Sequence, residues 1–263
     1  VDVTTFSSYL VGKGVEVPAE FDQDWWNVTL PMLAAPLITA DYDALVVDEA
    51  QDFADSWWTL LLGSLRGEHV FIAGDERQSV FADRRGRPAI SLFELKLDEN
   101  LRNTSQIVSL LNPLVPDKMP HLGGDGPPVR FVPCSVDEAY DCADSQVEAL
   151  LEAGHEPGSV AVLTPRSRHP YQRQTEEHFG GKPGYWEGFG LGDEVFYATV
   201  MGFKGLERPV VVLAIDGFHD GVARDVLYTG LSRARDQLVV VGDLEVIRAA
   251  AGNEVCKRLT AER

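Results

Sequence analysis

Seven short apolar runs punctuate the chain, at 44–48, 70–74, 129–132, 160–163, 195–200, 209–215 and 237–243. Each reads as a β-strand, and Ala44 to Val47 reads as a strand buried on both faces, as in a parallel sheet. Helical spacing fills the gaps between them. Phe53, Trp57, Leu60, Leu61 and Leu65 fall on one helix face. Ser135 and Glu138 form a capping-box pattern ahead of Tyr140, Ala143, Val147, Leu150 and Leu151, and Gly154 supplies a stop. Asn103 with Gln106 starts a further helix that carries Ile107, Val108, Leu110 and Leu111 and ends near Pro113. Glycine and proline concentrate at 113–128 and 180–192, which read as surface loops. Strands alternating with helices predict an α/β layered fold with parallel sheets flanked by helices.

Length and composition narrow the picture. A chain of 263 residues with 44% hydrophobic and 24% charged residues is globular, and long enough for two modest domains. A boundary fits near residue 97, giving units 1–97 and 98–263. The 41 acidic side chains against 23 basic ones leave a formal charge of −18, so any contact with a polyanion must come from a local basic stripe. Cys134, Cys142 and Cys256 are odd in number and form no C-x-x-C, which argues against a disulfide framework or a zinc site. The six histidines show no metal-ligand spacing. No signal peptide or apolar stretch of spanning length is present, so a cytoplasmic protein with no membrane partner is expected.

The candidate chemistry sits at the ends of the apolar runs. Asp48, Glu49, Gln51 and Asp52 crowd the end of the run at 44–47. Ligands of open α/β sheets bind beyond the carboxyl ends of strands. There an aspartate can hold Mg²⁺ and an adjacent glutamate can activate water beside a terminal phosphate. The plainer alternative is that Asp48 caps the following helix and Glu49 favours its positive N-terminus. The segment "VFIAGDERQSVF" repeats the arrangement, with Gly74, Asp75 and then Gln78. "LKLDENLRNTSQI" carries Arg102, "YATVMGFKGLERP" carries Lys204, Gly205 and Glu207 in a turn, and "LYTGLSRAR" places Arg233 and Arg235 on a helix before the last strand.

The order of these segments closely resembles the UvrD/Rep/PcrA-like superfamily 1 DNA helicases, over nearly the whole chain. "VVDEAQDF" resembles motif II, "GDERQSVF" motif III, "LDENLRN" motif IV, "TVMGFKGLE" motif V, "LYTGLSRAR" motif VI, and "VTTFSSYL" motif Ib with Ser7 where histidine is usual. The resemblance implies one incomplete and one complete RecA-like domain, ATP with Mg²⁺ in an inter-domain cleft, and movement on single-stranded DNA. It implies that Asp48 serves Mg²⁺, Glu49 activates the attacking water, and Gln78 senses the γ-phosphate. Arg102 and Arg233 would contact that phosphate, a role that guanidinium forks suit. Glu207 and Lys204 would lie at the nucleotide, and Phe81, Arg84, Arg85 and Thr199 at the nucleic acid. For Arg84, Arg85 and Arg87 a solvated loop is the alternative, and for Arg102 and Arg233 an ordinary salt bridge.

Three departures qualify what the resemblance implies. The chain has no G-x-x-x-x-G-K-[ST]; "LVGKGV" and "GGKPGY" lack the Ser or Thr, and Pro183 would spoil a following helix turn. The phosphate-binding loop is expected upstream of Val1, in a missing N-terminal segment. Phe81 matches the first aromatic after motif III, but "ADRRGRP" supplies no tryptophan for base stacking. Fewer than a hundred residues separate motifs IV and V, too few for a large accessory subdomain. Two rivals stand beside the helicase reading: a non-catalytic remnant that acts as a binding or regulatory module, and an RNA-directed ATPase of the same fold.

Overall fold

The computed structural model describes residues 1–18, 22, 24–75, 87–97 and 99–261, without the side chains of Lys182 and Pro183. The chain forms two compact units, Val1–Glu94 and Leu95–Arg263.

The first unit holds α1 (Phe6–Gly12), a π-helical turn (Trp25–Thr29) running into α2 (Leu30–Ala34), β1 (Tyr42–Val47), α3 (Asp55–Gly63) and β2 (Leu65–Ile72). Thr5 caps α1 by accepting the Ser8 N–H at 3.1 Å. β1 and β2 pair in parallel, with Val46 opposite Phe71 and Val47 opposite Ile72. One face of this sheet packs Val47 and Ile72 on Trp58, Leu61 and Phe53. Phe6 stacks on Trp57 at 4.6 Å, and the Trp57 indole N–H donates to the Trp26 carbonyl at 2.8 Å. Among the described residues of this unit nothing covers the other face, with Val46 75% and Phe71 67% exposed. The expectation of burial on both faces therefore fails for β1, because a two-stranded sheet with helices on one side leaves alternate side chains in solvent. Leu65 also departs from the expected helix face: α3 stops at Gly63, and Leu65 opens β2, which reaches further back than the predicted run at 70–74.

The second unit is a parallel sheet of five strands in the order β3-β7-β6-β4-β5. Along the chain it runs α4 (Ser105–Leu111), β3 (Arg130–Pro133), α5 (Ala139–Glu152), β4 (Val160–Thr164), α6 (Pro170–His178), α7 (Lys182–Leu191), β5 (Phe196–Thr199), β6 (Arg208–Ile215), α8 (Ala223–Leu231), β7 (Ala234–Gly242), α9 (Leu244–Ala251) and α10 (Asn253–Ala261). β4 is buried along its whole length, as is β6 from Val210 to Ile215, which is why both read as continuous apolar runs. One core layer sets Ala143, Val147 and Leu150 of α5 against Val160, Val162, Val210, Val212, Val239 and Val241. The capping box forms as its pattern predicts, with Ser135 and Glu138 exchanging bonds before α5 begins. Gly154 then takes a φ of 94° just past the helix, a conformation that glycine adopts without a Cβ penalty.

Two local expectations for this unit are corrected. The stretch at 180–192 is not a loop, since α7 occupies Lys182–Leu191. Pro183 lies in its first turn, where the missing N–H costs nothing, and Tyr185, Trp186 and Phe189 gather on Phe196 at ring separations of 4.6, 5.2 and 4.9 Å. Aromatic burial at the sheet edge outweighs the low helix propensity of Gly184, Gly188 and Gly190. Asn103 does not cap α4 either. Thr104 holds the N-cap position, and the Asn103 amide is used in tertiary bonds described below.

Candidate functional site

In the first unit the acidic cluster turns sharply at the end of β1. Asp48 is exposed, and its Oδ1 accepts the Glu49 N–H at 2.8 Å. Glu49 has φ 51°, ψ 39°, which makes it the left-handed non-glycine residue among those described. A strained backbone at a carboxylate is a feature that accumulates at functional sites. A short 3₁₀ turn follows at Ala50–Asp52. Gln51, 5% exposed, ties the turn together. Its Nε2 donates to Glu49 Oε2 at 2.5 Å, and its Oε1 accepts the Asp75 N–H at 2.9 Å. Gly74 belongs to this contact, because a Cβ there would stand 2.9 Å from Gln51 Oε1. Sequence reading placed Gln51 in the cluster but gave it no role; its distance of two residues from Glu49 was the available signal. Gln78, Phe81, Arg84 and Arg85 lie outside the described residues. Arg87 is described, and pairs with Glu94 at 3.5 Å.

In the second unit three distant segments meet at the amino ends of β6 and β7. The Arg102 guanidinium binds Glu207 with Nε 2.6 Å from Oε2, and Arg235 approaches the other oxygen of Glu207 at 3.9 Å. All three side chains are over a third exposed, so this is a solvated ion triad. Arg233 and Arg235 do not lie on the predicted helix. α8 ends at Leu231, Arg233 occupies the following turn, and Arg235 lies in β7. There Arg208 and Val210 of β6 face Ala234 and Gln237 of β7, so two steps on one strand answer three on the other. This bulge leaves Arg235 exposed beside Glu207.

Arg233 is 1% exposed. Its Nε donates to Thr229 O at 3.0 Å, one terminal nitrogen to Leu206 O at 3.2 Å, and the other to Ser232 Oγ at 2.9 Å. The guanidinium thus fastens the turn before β6 to the end of α8. Lys204 and Glu207 sit on that turn, where Gly205 takes a φ of 80°. Thr199 ends β5, with its Oγ1 accepting the Gly202 N–H at 3.1 Å.

Asn103 holds the Arg102 segment in place. It is 2% exposed, and its Nδ2 donates to Ser232 O at 3.0 Å and Ala234 O at 2.6 Å. Asn100 Nδ2 donates to Asn103 Oδ1 at 2.9 Å. The Thr104 N–H reaches Arg235 O at 3.2 Å. Gly126 seals the joint, since a Cβ there would come within 2.4 Å of Thr104 Cγ2 and 2.8 Å of Asp236 O.

A cationic loop that sequence reading missed follows β4. Arg166, Ser167 and Arg168 are exposed. Asp216, buried at the end of β6, accepts the Arg166 N–H at 2.9 Å, the Ser167 N–H at 2.7 Å and the Tyr140 hydroxyl at 2.8 Å. Burial and this carboxylate push the Tyr140 hydroxyl up to about 12. Arg168 pairs with Glu176 at 3.3 Å. His169, 1% exposed, packs between Tyr140 and Tyr197 at 4.7 and 4.8 Å. Its Nε2 stands 3.5 Å from Asp144 Oδ1, which also accepts the Tyr197 hydroxyl at 3.2 Å. Burial raises Asp144 to about 6 and lowers the His169 imidazole below its ordinary value. The signal available in the sequence was the spacing of cations in "TPRSRHPYQR" directly after an apolar run.

Residues 194–241, which span Glu207, Arg233 and Arg235, match the family model of the UvrD-like helicase C-terminal domain. Among solved structures, the C-terminal domain of a possible DNA helicase from Lactobacillus plantarum WCFS1 is similar at 14% identity and a TM-score of 0.37, over 60% of this chain and 93% of that one. No curated protein matches the chain. The matched segment runs from the approach to β5 into β7, and so contains both the Lys204–Glu207 turn and the Arg233 turn. Arg102 lies outside it in sequence, yet pairs with Glu207 within it. Among the described residues, no helix is long and apolar enough to cross a membrane.

Proposed function

We propose that this chain is part of an ATP-driven motor that moves on single-stranded DNA, with Mg²⁺ as its metal. The observation that carries the reading is the meeting of Arg102, Glu207 and Arg235 beside Arg233, at the segment that matches a UvrD-like helicase domain. A remnant kept only as a binding module has no physical need to hold exposed guanidinium groups of separate segments around one carboxylate.

Each unit, taken by itself, carries residues suited to nucleotide chemistry. Asp48 is an exposed carboxylate at a strand end, of the kind that holds Mg²⁺ together with phosphate oxygens. Glu49, oriented by Gln51 Nε2, would accept a proton from water. The exposed guanidinium of Arg102 would neutralise charge developing on a terminal phosphate, and Glu207 would then exchange an arginine for a nucleotide hydroxyl. Arg233 would act where it is seen, by fixing the turn that carries Lys204 and Glu207, and Gln78 would couple hydrolysis to the strand. Bound ATP supplies the phosphoryl group. These 263 residues contain no G-x-x-x-x-G-K-[ST], and a further segment would supply the phosphate cradle. Strand contacts fall to Phe81, Arg84, Arg85 and Thr199, with Arg166 and Arg168 added.

Titration calorimetry and a phosphate-release assay test this division of labour. Residues 1–263 should bind Mg²⁺-ATP weakly and release no phosphate, with or without single-stranded DNA, because one wall of the site lacks its cradle. Micromolar binding with steady turnover would overturn the assignment.

A further inference from the structure

We propose that a cavity between α6, α7 and the start of β5 binds a small organic cation with a flat apolar body, such as an aryl amidine. The cavity measures about 230 Å³ and lies wholly within the second unit. Its apolar wall is aromatic. Phe179, Tyr185 and Phe196 line it, with His178 edge-on to Phe179. Tyr185, 2% exposed, stacks on Phe196 with ring centroids 4.6 Å apart. The glycines of α7 leave the space. A Cβ at Gly184 would stand 2.3 Å from Phe179 O, so only glycine lets the residue after α6 come this close to α7. Gly188 lines the cavity itself, where an added Cβ would stand 3.7 Å from Phe179 Cζ. Gly192 then ends α7 in the left-handed conformation at φ 71°, and the turn brings Asp193 and Glu194 to the cavity ahead of β5.

The polar groups select the charge of the guest. Asp193 and Glu194 are exposed, and neither forms a salt bridge with a described residue. Among the described residues no lysine or arginine lines the cavity. Thr175 Oγ1 already donates to Tyr171 O at 2.8 Å, so only its acceptor capacity is left. The Tyr185 hydroxyl is buried without a hydrogen-bond partner among the described residues, the kind of group that a bound donor satisfies. Two carboxylates and spare acceptors disfavour an anion, and aromatic rings favour a cation that carries its own apolar surface. The volume sets the size. Sites for drug-sized ligands hold about 300–1,000 Å³, so this smaller one suits a single ring with one charged group. None of these residues is assigned to nucleotide or DNA, so the site stands apart from the proposed motor function.

The test is to titrate benzamidinium into the isotopically labelled full chain and follow backbone amides by NMR. The amides of Gly188, Asp193, Glu194 and Phe196 should shift saturably, with a Kd on the order of 1 mM or tighter. Benzamide, neutral and of the same shape, should bind about tenfold more weakly, since two solvated charge contacts together amount to about that factor. Benzoate should not bind. Asp193→Asn combined with Glu194→Gln should lower benzamidinium affinity about tenfold while leaving the fold intact, because both side chains are exposed. Gly188→Leu, which places a side chain in the cavity, should abolish binding. Four results would each overturn the proposal: no saturable shift of these amides, benzamide binding as tightly as benzamidinium, unchanged affinity in the double variant, or shifts that persist in Gly188→Leu and so place the cation on the acidic surface at large.

Discussion

Replacing Asn103 isolates the joint that holds the Arg102 segment to the strand bearing Arg235. The side chain is 2% exposed and makes three hydrogen bonds, two as donor to the carbonyls of Ser232 and Ala234 and one as acceptor from Asn100. Each buried bond contributes about 1 kcal/mol net, and an acceptor left without a donor costs about 1–3 kcal/mol. Asn103→Ala should therefore destabilise the second unit by about 3 kcal/mol. Asn103→Asp should be worse at neutral pH, because a carboxylate oxygen would replace the amide donor and face two carbonyls. It should recover in acid, as the protonated group can donate. Hydrogen exchange of β6 and β7 reads this directly, since their amides open only with the whole unit. A loss of about 3 kcal/mol corresponds to exchange about a hundredfold faster. Exchange within threefold of wild type in the alanine variant, or an aspartate variant as slow as wild type at pH 7, would show that Asn103 does not hold this joint.

Gln51→Ala should cost about 1–2 kcal/mol in urea unfolding of the first unit, since Glu49 and the Asp75 N–H lose a shared partner. Gly74→Ala should cost a similar amount, by pressing a methyl against Gln51 Oε1. Arg102→Ala should change stability by less than about 1 kcal/mol, because its pair with Glu207 is solvated. Arg233→Ala should cost several times that, because the buried guanidinium and its bonds to Thr229 O, Leu206 O and Ser232 Oγ are all lost. A loss of function in the second variant therefore reports on folding unless its melting temperature is matched. Asp144, raised from 3.8 to about 6, carries a stabilising contribution that is complete below pH 4 and lost as pH rises through 6. His169, lowered from 6.5, acts the other way: its contribution is present above pH 6.5 and lost as pH falls. Asp144→Asn should thus stabilise the chain at pH 7.5 by up to about 3 kcal/mol, with the gain vanishing near pH 4. A constant difference across that range in thermal melts would contradict the assignment.

The central strands were legible because a parallel sheet covered on both faces forces continuous apolar runs, and β4, β6 and β7 show them plainly. The capping box before α5 was legible for a local reason: donor and acceptor lie three residues apart. What was not legible depends on contacts far apart in the chain. Asn103 looks like a helix cap until its amide is seen on carbonyls 129 and 131 residues away. The position of Arg235 depends on a β-bulge, which leaves no composition signal. α7 is glycine-rich and reads as loop, because its stability comes from Phe196 on another element and not from helix propensity. Burial of β1 was misjudged because a run of apolar residues does not show how many layers cover it.

The proposed function requires this strongly acidic chain to hold a polyanion through local cations. Fluorescence anisotropy of a labelled single-stranded DNA oligonucleotide, titrated with the chain over a range of salt concentrations, tests it most directly. Binding at low salt should weaken linearly in log–log form, each phosphate contact contributing about −0.7 to the slope. Arg166→Ala with Arg168→Ala should flatten the slope by about 1.4, and the Arg84, Arg85 and Arg87 triple alanine variant by about 2. Binding that is absent at low salt, or a slope that none of these substitutions changes, would rule out a strand-holding role for these cations.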